Sequence, residues 1–170
     1  MPDIRVHTFW EGRLAIDGDL AKEINVNRIR NLQYLKELCS CPNGLAFAPT
    51  FRLLSDAWDA CERADWMMCV LVQGKMLNKA LALTLAIAFA KRAPTREGSY
   101  WVTRVANAGS DADAAHDAWA TSDASAFSIA YCESIGFNHC LHATELRSQA
   151  ETIRQIVGNP FKDVDSNKTE

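Results

Sequence analysis

The chain predicts an all-α, single-domain helical bundle around a central apolar helix, with a small β-hairpin at the N-terminus. Three observations carry that prediction. From Met76 to Ala90 only Asn78, Lys79 and Thr84 are polar, so the segment reads as a helix apolar nearly all round and therefore as the buried centre. Just before it, Trp58, Trp66, Met67 and Met68 supply bulky core side chains. Between Ala106 and Ala130 alanine dominates, and alanine both favours helix and lets helix axes approach closely.

Taken in order, Ile4, Val6, Thr8 and Trp10 alternate with polar residues, and Arg13 to Ile16 can pair back across Glu11-Gly12, which predicts a hairpin over 4–16. Asp19 is placed to cap a helix to about Leu38, with Val26, Ile29, Leu32, Leu35 and Leu38 stepping by three. Cys39-Ser40-Cys41-Pro42-Asn43-Gly44 reads as a breaker cluster, and Thr50 as the cap of a helix carrying Leu53, Leu54, Ala57, Trp58 and Cys61. Asp65 caps a short helix through Val72, and the apolar helix from Met76 stops at Lys91, Arg92 and Pro94.

Ser99 is positioned to cap a helix to about Asn107. The alanine-rich stretch then predicts two helices broken near Thr121-Ser122-Asp123, with Trp119, Phe127 and Ile129 as its large apolar anchors. Gly136-Phe137-Asn138 marks a further break, and Leu146, Ala150, Ile153 and Val157 define a last helix ended by Gly158 and Pro160. One domain over 1–161 follows, with a helical core over 19–157 and a disordered polar tail over 162–170.

At 170 residues the chain is long enough for one sizeable core, since a domain of about this size removes roughly 70% of its unfolded surface from water. With 48% hydrophobic and 23% charged residues the balance is that of a globule. A net charge of -3 gives no basic footprint for nucleic acid, so nucleic acid is not an expected partner. No membrane association is expected either, because the longest apolar run, Ala80 to Ala90, falls short of the ~20 residues that span a bilayer. The opening Met1-Pro2-Asp3-Ile4-Arg5-Val6 has no secretory pattern, so the expected location is cytoplasmic and the six cysteines read as reduced thiols.

No constellation commits the chain to catalysis, and no cofactor is implied. There is no glycine-rich loop before a helix and no GxSxG elbow. Cys39, Cys41, His139, Cys140 and His142 hold enough nitrogen and sulfur donors for a tetrahedral zinc, but a CxC spacing is shorter than structural sites use. Asp113-Ala114-Ala115-His116 approaches half of a di-iron motif and has no second copy. The acids Asp56, Asp59, Glu62 and Asp65 step by three and read as a solvated face.

The run from Ser55 to Leu71, with Cys61, Asp65, Trp66, Met67 and Met68 in order and an apolar helix ending in Lys91-Arg92 behind it, resembles a family of immunity proteins. These are helical, Imm-5-like proteins of bacteria and phages. The similarity extends through the alanine-rich stretch to the helix Glu145 to Val157, and so covers Ser55 to Phe161. The resemblance implies an all-helical, non-catalytic protein-binding domain that neutralises a partner protein such as a toxin, and it carries no catalytic residues to this chain.

On that reading Trp101, Trp119, Tyr131 and Phe137 are the candidate partner-binding residues, because interfaces rely on a few aromatic anchors. The alternative is a metal- or small-ligand-binding protein or an enzyme, in a phage setting a counter-defence factor. Its pocket would be lined by Trp58, Trp66, His116 and His139.

Overall fold

The computed structural model describes residues 33–37, 42–93, 96–132 and 136–162. The hairpin expected over 4–16 and all but one residue of the tail expected over 162–170 lie outside them, as does most of the helix expected from Asp19. Residues 33–37 are helical (α1). There follow α2 (Pro42–Phe47), a 3-10 turn (Ala48–Thr50), α3 (Leu54–Ala60), α4 (Ala64–Gln73), α5 (Lys79–Arg92), α6 (Arg96–Asn107) and α7 (Asp111–Ala130). Two short paired strands, β1 (Tyr131–Cys132) and β2 (Gly136–Phe137), lead into α8 (His139–Val157). The described chain is thus predominantly helical, and no described helix is long and apolar enough to cross a membrane.

The centre of the bundle is α7, and the expectation that Met76 to Ala90 occupies it is corrected. Four helices, α4, α5, α6 and α8, pack on α7. Its buried surface is built from small residues, Ala114, Ala115, Ala118, Ser122, Ser125 and Ala126, so neighbours approach it closely on several sides. By contrast α5 buries one face, Ala82, Leu85, Ala86 and Phe89, while Ala80 and Thr84 are exposed and Ile87 is 37% exposed. Lack of charge does not set which side of a helix is wet, and alanine loses little by facing water. The driest helix is α4, which buries Ala64 and every residue from Met67 to Val72. Each large side chain buried this way contributes about 1.5–3 kcal/mol.

Several expected boundaries also move. The breaker cluster contains a helix, because Pro42 occupies the first turn of α2, where its missing N–H costs nothing. Thr50 closes the 3-10 turn by donating to the Phe47 carbonyl (2.7 Å) and caps nothing downstream. Asp65 lies inside α4, where it takes two hydrogen bonds from Arg63 (2.9 and 2.6 Å). The start of α5 is set by Asn78, whose side chain accepts from the Leu81 N–H (2.9 Å). Ser99 falls within α6, and its carbonyl accepts from Thr103.

No break divides α7 at 121–123, since the residues expected to cap a second helix are engaged elsewhere. Thr121 donates back to the Asp117 carbonyl (2.8 Å), and Ser122 reaches across to the Gln149 side chain (2.5 Å). A hydroxyl held this way stops competing for the local backbone, and the helix continues.

Long-range polar contacts fix how α8 sits. The Arg92 guanidinium forks onto Glu145 through Nε (2.6 Å) and Nη2 (2.9 Å), and that hydrogen-bonded carboxylate raises the arginine pKa. Gln149 donates to Glu145 (3.0 Å) and Ser125 to the Phe89 carbonyl (2.9 Å), so the seam between α5, α7 and α8 is internally satisfied. At the other end Arg154 donates to the Cys61 carbonyl (2.7 Å) and Trp58 Nε1 to the Gly158 carbonyl (2.9 Å). Gly158, with φ +79°, ends α8 as its sequence position predicts.

Candidate protein-binding face

Where α7 ends, the chain reverses through β1 and β2 and enters α8, and this turn carries an aromatic surface. In the antiparallel ladder Tyr131 stands opposite Phe137, and the Asn138 N–H closes on the Ala130 carbonyl (2.8 Å). Gly136, at φ +73°, supplies a backbone conformation that L side chains rarely adopt. Asn138 then caps α8, accepting from the N–H groups of Cys140 and Leu141 (3.0 and 3.1 Å).

The rings form a continuous group. Phe127 lies nearly parallel to Tyr131, 14° between planes and 5.9 Å between centroids, and stands 5.5 Å from Phe137. His139 and His142 flank Phe137 at 5.0 and 5.1 Å. Phe127 is 56% exposed, Tyr131 51% and Leu141 46%. Packing of this kind between rings contributes about 0.5–1.5 kcal/mol per pair and holds the surface in one shape.

Of the four residues expected to meet a partner, Tyr131 and Phe137 are brought together here, and Trp101 and Trp119 are not part of the ring group. Trp101, on α6, is half-buried, edge-on to Tyr100 (5.2 Å) and covered by the Arg104 guanidinium at 5.2 Å. Hydrogen bonds to Tyr100 and then Asp117 raise the Arg104 pKa. Trp119 packs on the core, with its Nε1 buried and without a hydrogen-bond partner among the described residues. Phe127, read from sequence as a core anchor, lies on the surface instead. It shares the solvent side of α7 with His116 and Asp123, at i, i+7 and i+11, a stripe that alanine on the opposite side makes hard to see in sequence.

The residues of the alternative pocket are dispersed. Trp58 is buried and Trp66 half-buried beneath Arg63, whose guanidinium lies 4.8 Å over the ring, and both border an apolar cavity of about 50 Å³. That space holds a water-sized guest, well below the ≈ 300–1,000 Å³ of ligand pockets. His116 is exposed with Nδ1 against the Ala112 carbonyl (2.9 Å), and neither it nor His139 borders the cavity. A polar groove of about 340 Å³ between α6 and α7 has Arg104 bound to Asp117, Thr103 to the Ser99 carbonyl and Asn107 to the Thr103 carbonyl.

Cys39 and Cys41 lie outside the described residues, and Cys140 is exposed. Among the described residues no three His, Cys, Asp or Glu side chains are grouped to hold a metal ion. Three of the four acids stepping by three are met by neighbours: Asn159 donates to Asp59 (2.9 Å), Arg147 to Glu62 (2.8 Å) and Arg63 to Asp65. Burial, the leading cause, pushes the Cys61 thiol pKa up, so the cysteine of the quoted motif is a packing residue. Compared with protein-family models, with curated proteins and with solved structures, the chain matches none of them.

Proposed function

We propose that this chain is a non-catalytic protein-binding domain of immunity type, which neutralises a partner protein such as a toxin by covering it with a rigid helical face. The observation that carries the reading is the exposed ring group Phe127, Tyr131 and Phe137 at the junction of α7 and α8. Aromatic side chains bury 150–250 Å² each when covered, so two half-exposed rings, Phe137 and Leu141 offer roughly 300 Å² of apolar surface. A patch of that size, on helices fixed by a buried polar seam, suits association without rearrangement.

The test is a photo-crosslinking amino acid placed at Phe127 and, as a control, at exposed Thr84 on α5. Expressed in the native host, the Phe127 probe should yield one cross-linked partner protein that the Thr84 probe does not. Cross-links of equal yield from both positions, or none from either, would defeat the reading.

A further inference from the structure

Building on the protein-binding reading, we infer that the surface Phe127–Tyr131–Phe137 takes a basic segment of the partner, with an arginine side chain stacked on the Phe127 and Tyr131 rings. Three observations converge on this chemistry. The first is that two half-buried tryptophans elsewhere in the chain are covered by arginine: Arg63 stands over Trp66 at 4.8 Å and Arg104 over Trp101 at 5.2 Å. Among the described residues no cation stands over Phe127, Tyr131 or Phe137. Guanidinium groups stack on ring faces and desolvate readily, which is why arginine serves this contact better than lysine.

The second observation is the sign of the surroundings. Between Arg104 and Arg147 the sequence contains no lysine or arginine, while Asp117, Asp123 and Glu145 fall there. Arg104 and Arg92 neutralise Asp117 and Glu145 from other helices. Asp123 has no such cation among the described ion pairs, is exposed, and lies one helical turn before Phe127 on the same side of α7.

The third observation is an uncompensated acid. The Asp123 carboxyl is pushed up to about 6, by desolvation first and by the nearby Asp65 charge second. A cation brought over Phe127 would relieve that cost, so the acid and the rings favour one ligand chemistry. An acidic or apolar partner would satisfy the rings and leave Asp123 worse off.

The test uses a fluorescein-labelled decapeptide of alternating arginine and glycine, beside the same peptide with citrulline in place of arginine and a single-stranded oligonucleotide of similar length. Binding to the full chain is followed by anisotropy. The arginine peptide should bind and the citrulline peptide bind more weakly by about tenfold, the loss expected for one desolvated cation–π contact. Phe127→Ser and Asp123→Lys should each weaken the arginine peptide while the circular dichroism stays that of the parent. Equal binding of the citrulline peptide, unchanged binding by Phe127→Ser, no binding of any peptide, or preferred binding of the oligonucleotide each overturns the inference. The two failures separate cleanly: a partner cross-linked at Phe127 with no arginine preference removes only the inference, whereas no cross-link removes the protein-binding reading beneath it.

Discussion

Gln149 and Ser122 exchange hydrogen bonds across the α7–α8 interface, with Ser122 Oγ donating to Gln149 Oε1 (2.5 Å) and Gln149 Nε2 donating to the Ser122 carbonyl (3.2 Å). Both residues are fully buried, so each satisfies a group that water cannot reach. Gln149→Leu keeps roughly the same volume and removes both contacts. It is expected to destabilise the fold by about 1–3 kcal/mol, the cost of leaving buried polar groups unpaired. Urea unfolding of the two proteins measures it, and an unchanged midpoint would remove the seam from the account.

Glu145 extends the same seam toward solvent through Arg92, and it is itself buried. Glu145→Ala should cost about 1–3 kcal/mol, because the buried Gln149 amide loses an acceptor while the freed Arg92 guanidinium stays in contact with water. Glu145→Ala combined with Gln149→Leu should cost less than the two separate losses added together, since the residues share a hydrogen bond. Additive losses would show that the two act independently.

Asp123 gives the pH dependence a definite sign. Its pKa in the folded chain is raised to about 6, above the ~3.9 of an unfolded aspartate, so the folded state holds the extra proton between those values. Its contribution to stability is therefore full below about pH 4 and falls away as the pH rises toward 6. Contact with solvent keeps the effect modest. The Tm difference between Asp123→Asn and the parent should grow in favour of the variant across that window and then level off. A difference that is flat with pH would contradict the environment described for Asp123.

Thiol chemistry distinguishes packing cysteines from accessible ones. Cys61 and Cys69 are buried, with the Cys61 thiol pKa raised by that burial, whereas Cys140 is exposed on α8. Brief alkylation of the native protein should label Cys140 and spare Cys61 and Cys69, as read by peptide mass spectrometry. Labelling of Cys61 before Cys140 would mean that the α3–α4 junction opens in solution.

Much of the candidate face was legible in part only. Tyr131 and Phe137 read from sequence as candidate partner-binding aromatics, and the ladder brings them opposite each other. Phe127 reads from sequence as one large apolar anchor among alanines, and the structure leaves it 56% exposed. The run without lysine or arginine from Arg104 to Arg147 is the signal in the sequence that accompanies this aromatic surface. Trp101 reads from sequence as a partner-binding anchor, and only the tertiary structure shows its ring covered by Arg104.

By itself the sequence determined what depends on nearest neighbours along the chain: helical character, the Gly158 terminus and the buried methionines of α4. Tertiary structure decided what depends on residues far apart. It placed α7 rather than α5 at the centre, kept α7 whole by giving Ser122 a partner on α8, and tied Arg92 to Glu145. The physical reason is that alanine-rich helices carry weak sidedness, so which face is dry is settled by the shapes and hydrogen-bonding groups of the neighbours that happen to meet it.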